Sequence, residues 1–79
     1  MKNTIRVERA ILDISQADLA GRVQVSRQTI NAIEGGKYVP SAALAIKIAR
    51  VFGKKVEEIF ELDEDDELKY LHDKLDEPG

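Results

Sequence analysis

Residues 15–37, SQADLAGRVQVSRQTINAIEGGK, decide the fold. Two segments of helical rhythm follow each other here, each opened by a serine. Ser15 stands three residues before Asp18, a capping-box spacing with Asp where Glu or Gln is usual, and a carboxylate there also favours the positive end of a helix. A helix over Gln16–Val23 would bury Leu19, Ala20 and Val23. Ser26 caps the next helix, which runs to about Glu34 and is stopped by Gly35 and Gly36. Only a short turn separates the two.

Advancing about 100° per residue, Arg27, Gln28 and Asn31 share one arc of the helix opened by Ser26, and Ile30 and Ile33 share the opposite one. Solvation alone does not call for Arg, Gln and Asn together, since Glu and Lys would serve as well and have better helix propensity than Asn. Arg can donate two hydrogen bonds to a guanine edge, and Gln or Asn can pair in bidentate fashion with adenine. Those edges lie in a major groove wide enough to admit one helix. The alternative is a plain solvated face.

Outward from this centre, helix signals dominate. A first helix over about Thr4–Leu12 would carry Ile5, Leu12 and Glu8/Arg9 on neighbouring turns. Lys37–Pro40 reads as an extended link, because the residue before proline is pushed out of the helical region. Ser41 caps a fourth helix over 42–52, with Leu44, Ile48, Val51 and Phe52 at helical spacing and Gly53 at its end. A fifth short helix is expected over Val56–Phe60. There is no hairpin signal and no fixed repeat. The expectation is an all-α, compact five-helix domain over residues 1–60 with an acidic C-terminal extension over 61–79.

Seventy-nine residues allow one small domain with a limited core, so function must sit on its surface. With no cysteine and a single histidine, His72, no metal site is expected and no cofactor is implied. No nucleophile–base set and no phosphate-cradling loop is visible, which argues against an enzyme. The N-terminus interleaves Lys2, Arg6, Glu8 and Arg9 with its apolar residues, and no long apolar run follows; a cytoplasmic protein without a membrane partner is expected. The net charge of −3 is unevenly spread. Residues 1–60 hold ten basic and six acidic side chains, a net of +4, whereas 61–79 hold two and nine, a net of −7.

Two short helices joined by a tight turn, the second presenting such a face, form the helix-turn-helix arrangement. From the Ser-Gln start of the second helix, through the Leu-Ala within it, VSRQTI at 25–30 and IEGGK at 33–37, to Pro40 and Ser41, the chain resembles the Xre and lambda-repressor/Cro family of transcriptional regulators. The resemblance covers roughly residues 3–60. It implies a five-helix lambda-repressor-like domain, a cytoplasmic location, a homodimer, and double-stranded operator DNA as partner. Carried over by position, it implies base reading by Arg27, Gln28, Asn31 and Ala32, the last able to touch a thymine methyl. Gln16, Thr29 and Lys37 match phosphate-contacting positions, Gln16 through its amide and the free N–H groups of its helix. For Thr29 the competing reading is a hydroxyl bonded to its own backbone, and for Lys37 ordinary solvation. Arg9 and Glu34 match an ion pair that ties the first helix to the end of the third and orients it. The chain departs from the family at Gln24, where the turn commonly carries glycine, and at Gly21 inside the second helix. A left-handed Gln24 costs about 1 kcal/mol relative to glycine, and Gly21 a similar amount relative to alanine.

Implied next is a sequence-specific repressor that binds a palindromic operator as a homodimer, its half-sites about 34 Å apart. The acidic extension is repelled by phosphate and must act elsewhere. Leu68, Leu71 and Leu75 would share one face of a helix over about 66–75. That helix could pack or dimerise, stay solvated, or bind a partner protein, and EIFEL at 58–62 could instead add a strand across a dimer axis. An antitoxin, or another protein-interaction module whose tail binds a protein partner while the helix-turn-helix represses its own operon, is the second reading.

Overall fold

A computed structural model of the chain describes residues 1–68. Five helices follow in order: α1 (Ile5–Leu12), α2 (Gln16–Val23), α3 (Arg27–Glu34), α4 (Ala42–Val51) and α5 (Val56–Ile59). A sixth, α6, begins at 64 and is described to 68. His72, Leu71, Leu75 and the remainder of the anticipated tail helix lie outside the described residues.

Local chemistry explains most of the boundaries. The hydroxyls of Ser15, Ser26 and Ser41 accept from the backbone N–H groups of Asp18, Thr29 and Leu44, which satisfies a donor left free at each helix start. At Ser15 the box is complete, because Asp18 Oδ2 also accepts from the Ser15 N–H at 3.1 Å. The Ser15 backbone N–H first, and then the Ser15 hydroxyl, hold the Asp18 carboxyl below its ordinary value. α1 and α2 end on left-handed residues, Asp13 at φ 55° and Gln24 at φ 62°. Glycine takes that role after α3 and α4, at Gly36 and Gly53.

The core gathers one face from each helix: Ile5 of α1, Leu19, Ala20 and Val23 of α2, Ile30 and Ile33 of α3, Ala45, Ile48 and Ala49 of α4, and Ile59 with Phe60 after it. Each buried Ile, Leu or Val removes enough apolar surface from water to be worth about 1.5–3 kcal/mol. The two-helix unit α2–α3 is therefore fixed chiefly by its own apolar faces, with α4 packed beneath.

The all-α expectation needs correction. Lys2–Asn3 (β1) pairs antiparallel with Phe60–Glu61 (β2), Lys2 opposite Glu61 and Asn3 opposite Phe60. Phe60 thus ends α5 as extended backbone, φ −115° and ψ 139°, rather than closing it as a helical residue. The strand at the end of EIFEL forms with the chain's own N-terminus. Beyond it, Asp63 caps α6, its Oδ1 accepting from the Asp66 N–H at 2.9 Å, and the Met1 ammonium lies 3.0 Å from Asp63 Oδ2 and 3.1 Å from Asp66 Oδ2.

α1 carries a buried carboxylate. Leu12 is exposed, together with Val7 and Ile11, while Glu8 is buried. Its Oε2 accepts from Lys54 Nζ at 2.5 Å, an ion pair that closes the far end of the core and raises the pKa of the Lys54 ammonium. A buried carboxylate is tolerated because it is paired.

Candidate nucleic-acid interface

α2 and α3 are joined by Gln24, Val25 and Ser26. The turn is closed by the Val25 N–H, which donates to Ala20 O at 3.0 Å, with Val25 half-buried against the core. Ser26 then restarts the chain as a helix, and its Oγ also lies 2.9 Å from the Thr29 hydroxyl. Thr29 is half-buried, with its hydroxyl beside the start of the helix.

On α3 the two arcs separate by burial. Ile30 and Ile33 are 0% and 1% exposed, whereas Arg27, Gln28 and Asn31 stand in solvent along one side. Ala32 is half-buried at the edge of that side. Lys37 lies just past the end of α3 with its side chain exposed, its backbone N–H donating to Ala32 O at 2.9 Å. Among the described residues, the side chains of Arg27, Gln28 and Lys37 make no protein hydrogen bond and leave their donors open.

A polar cluster at the last turn of α3 adds to its apolar contacts. Glu34 is almost wholly enclosed, its side chain 1% exposed. Arg9 of α1 donates to it through Nε at 2.6 Å, and the same guanidinium reaches Ile14 O at 3.1 Å. Gln16, the first residue of α2, donates through Nε2 to Glu34 Oε2 at 2.5 Å and to Asn31 Oδ1 at 3.2 Å. Three helices therefore meet on one carboxylate. Asn3 adds a further tie, its Nδ2 donating to Ile33 O at 2.8 Å while its Oδ1 accepts from the Ile5 N–H.

The structure thus brings Arg9, Glu34, Gln16 and Asn31 together and keeps Arg27, Gln28 and Lys37 apart from that cluster. Sequence reasoning missed the Gln16 contacts and Asn3 altogether. Gln16 was readable as a polar residue opening a helix, but its distance from α3 is set by how the two helices pack. Asn3 precedes α1 and carries no periodic signal.

A tight turn, a buried inner arc and an exposed polar outer arc on the second of two eight-residue helices make up a helix-turn-helix unit. A helix-turn-helix family model matches residues 5–59, from the first residue of α1 to the last of α5. The chain belongs to the Xre-like helix-turn-helix family. This helix-turn-helix chain is 57% identical over 67 residues to an uncharacterised HTH-type transcriptional regulator of Methanocaldococcus jannaschii, covering 85% of the chain and 100% of that protein. It is 52% identical over 66 residues to one of Methanothermobacter thermautotrophicus, covering 82% of the chain and 96% of that relative. It is 48% identical over 65 residues to the HTH-type regulator YgzD of Bacillus subtilis, covering 82% and 98%. Among the described residues no helix is long and apolar enough to cross a membrane.

Proposed function

We propose that the chain is a sequence-specific DNA-binding transcriptional regulator of the cytoplasm, a repressor that binds a palindromic operator as a homodimer. One observation carries the reading: Arg27, Gln28 and Asn31 stand exposed on the side of α3 opposite buried Ile30 and Ile33. A helix held in this way can enter a major groove and offer Arg to guanine and Gln or Asn to adenine. Arg27, Gln28, Asn31 and Ala32 are assigned to base reading, and Thr29, Lys37 and the start of α2 at Gln16 to phosphates. Arg9 and Glu34 orient α3.

Residues 1–60 are assigned to DNA binding and 61–79 to an acidic extension outside the interface. The helix-turn-helix family match over residues 5–59, which stops short of the acidic stretch, supports this division. One such module buries little DNA surface, so two copies on half-sites about 34 Å apart are part of the mechanism. Occlusion of polymerase by the bound pair gives repression.

Selection of binding sites from random duplex DNA at fixed salt tests this, with Arg27→Ala and Gln28→Ala beside the wild type. Salt is held constant because phosphate contacts make affinity steeply salt-dependent. The expected result is an enriched palindrome that each variant relaxes at its own base pair. Absence of enrichment, or weak binding that all three proteins share, would refute it.

A further inference from the structure

The Gln16 side chain does not stand free to meet a phosphate. Its amide nitrogen has two protons and two acceptors, Glu34 Oε2 at 2.5 Å and Asn31 Oδ1 at 3.2 Å. The identities of these atoms are forced in sequence. A carboxylate only accepts, so Gln16 must turn its nitrogen toward Glu34. That nitrogen also faces Asn31, which must therefore present its oxygen. The Asn31 amide is then fixed with its nitrogen left over on an exposed part of α3.

An exposed asparagine otherwise turns broadly about its last torsion, and bidentate pairing with adenine needs the oxygen and the nitrogen in one defined plane. Oδ1 keeps a second lone pair for the base while Gln16 holds the first. Moving the Gln16 nitrogen onto a phosphate would instead strip a donor from a carboxylate whose side chain is only 1% exposed.

We infer that Gln16 is a specificity-determining positioning residue that aims the Asn31 amide at a base edge, and that any phosphate at the start of α2 is met by backbone N–H groups and not by the Gln16 side chain. The inference rests on α3 being the DNA-facing helix. It differs from a phosphate role in what it predicts: a lost phosphate contact weakens binding to every sequence alike, whereas a lost aim removes one base preference.

The test uses the full chain, the site enriched by the wild type, and versions of that site with each base pair replaced in turn. Gln16→Met keeps the length and removes the donor; Asn31→Ala marks the base pair that Asn31 reads. Gln16→Met is expected to lose about tenfold or more of the discrimination at that base pair alone, and the double variant to lose no more than Asn31→Ala. Gln16→Lys, which restores a donor at similar reach, is expected to keep the preference even where Gln16→Met fails to fold. Uniform weakening by Gln16→Met at all sites, or loss of the preference in a folded Gln16→Lys, would overturn the inference. A wild type that enriches no sequence would overturn the reading of α3 itself, a distinct result.

Discussion

Replacing Gln24 with glycine should make the domain more stable, although glycine usually does the opposite. Gln24 closes α2 at φ 62° and ψ 44°, where the Cβ of any L residue crowds the following carbonyl. Its side chain is exposed and makes no hydrogen bond among the described residues, so nothing is lost with it. Glycine relieves a strain of about 1–2 kcal/mol, and its greater freedom in the unfolded chain takes back up to about 1 kcal/mol. A net gain of about 1 kcal/mol is expected at the middle of these ranges, which for a domain of this size raises Tm by roughly 4–8 °C. The opposite substitution sharpens the test. Gln24→Val puts a branched side chain into the same region and should lower Tm, since β-branched residues are outliers there. Thermal unfolding followed by circular dichroism reads both. If glycine lowers Tm, or valine leaves it unchanged, the turn between α2 and α3 is not left-handed at Gln24 and the reasoning fails. Site selection by Gln24→Gly should match the wild type, because the backbone geometry that aims α3 is retained.

Gly21 lies within α2, and an added Cβ would meet nothing within 4 Å; Gly21→Ala should therefore gain about 0.8–1 kcal/mol from helix propensity alone, seen as a higher urea midpoint at unchanged slope. Asp18 is a matter of pH. Its pKa is lowered on folding by the Ser15 N–H and hydroxyl, so its charge stabilises the fold above the ordinary carboxylate range, and that contribution is lost as pH falls through the lowered folded value. Asp18→Asn keeps an acceptor without the charge, so its Tm deficit at pH 7 should narrow toward pH 2; a deficit constant over that range would contradict the assignment.

The sequence makes legible what is settled within a few residues. Ser15, Ser26 and Ser41 mark helix starts because a cap bonds to an N–H three positions along. The apolar residues of α2 and α3 read correctly because their spacing follows the helical period, and the exposed arc of α3 follows from the same spacing. What was hidden depends on partners far along the chain. Lys2–Asn3 and Phe60–Glu61 are two residues each, too short to alternate, and become strands only by meeting one another. Spacing put Ile5, Leu12 and Glu8 on neighbouring turns without saying which is buried; α1 turns Ile5 and Glu8 to the core, and Glu8 can go there only because Lys54 arrives from 46 positions away. The Gln16 amide has the same character: its acceptors lie 15 and 18 residues on, at a distance fixed by how two helices cross.

The cluster at Glu34 separates two kinds of change. Arg9 and Gln16 are both hydrogen-bonded to Glu34, whereas the side chains at Arg27 and Gln28 belong to no internal hydrogen bond among the described residues. If 27 and 28 read bases as proposed, duplicated copies of such a gene can drift at these positions toward new operators without breaking an internal hydrogen bond. On the same reading position 31 is less free to wander: its amide is hydrogen-bonded to Gln16, so a new residue there is expected to reach a new base only if position 16 changes with it.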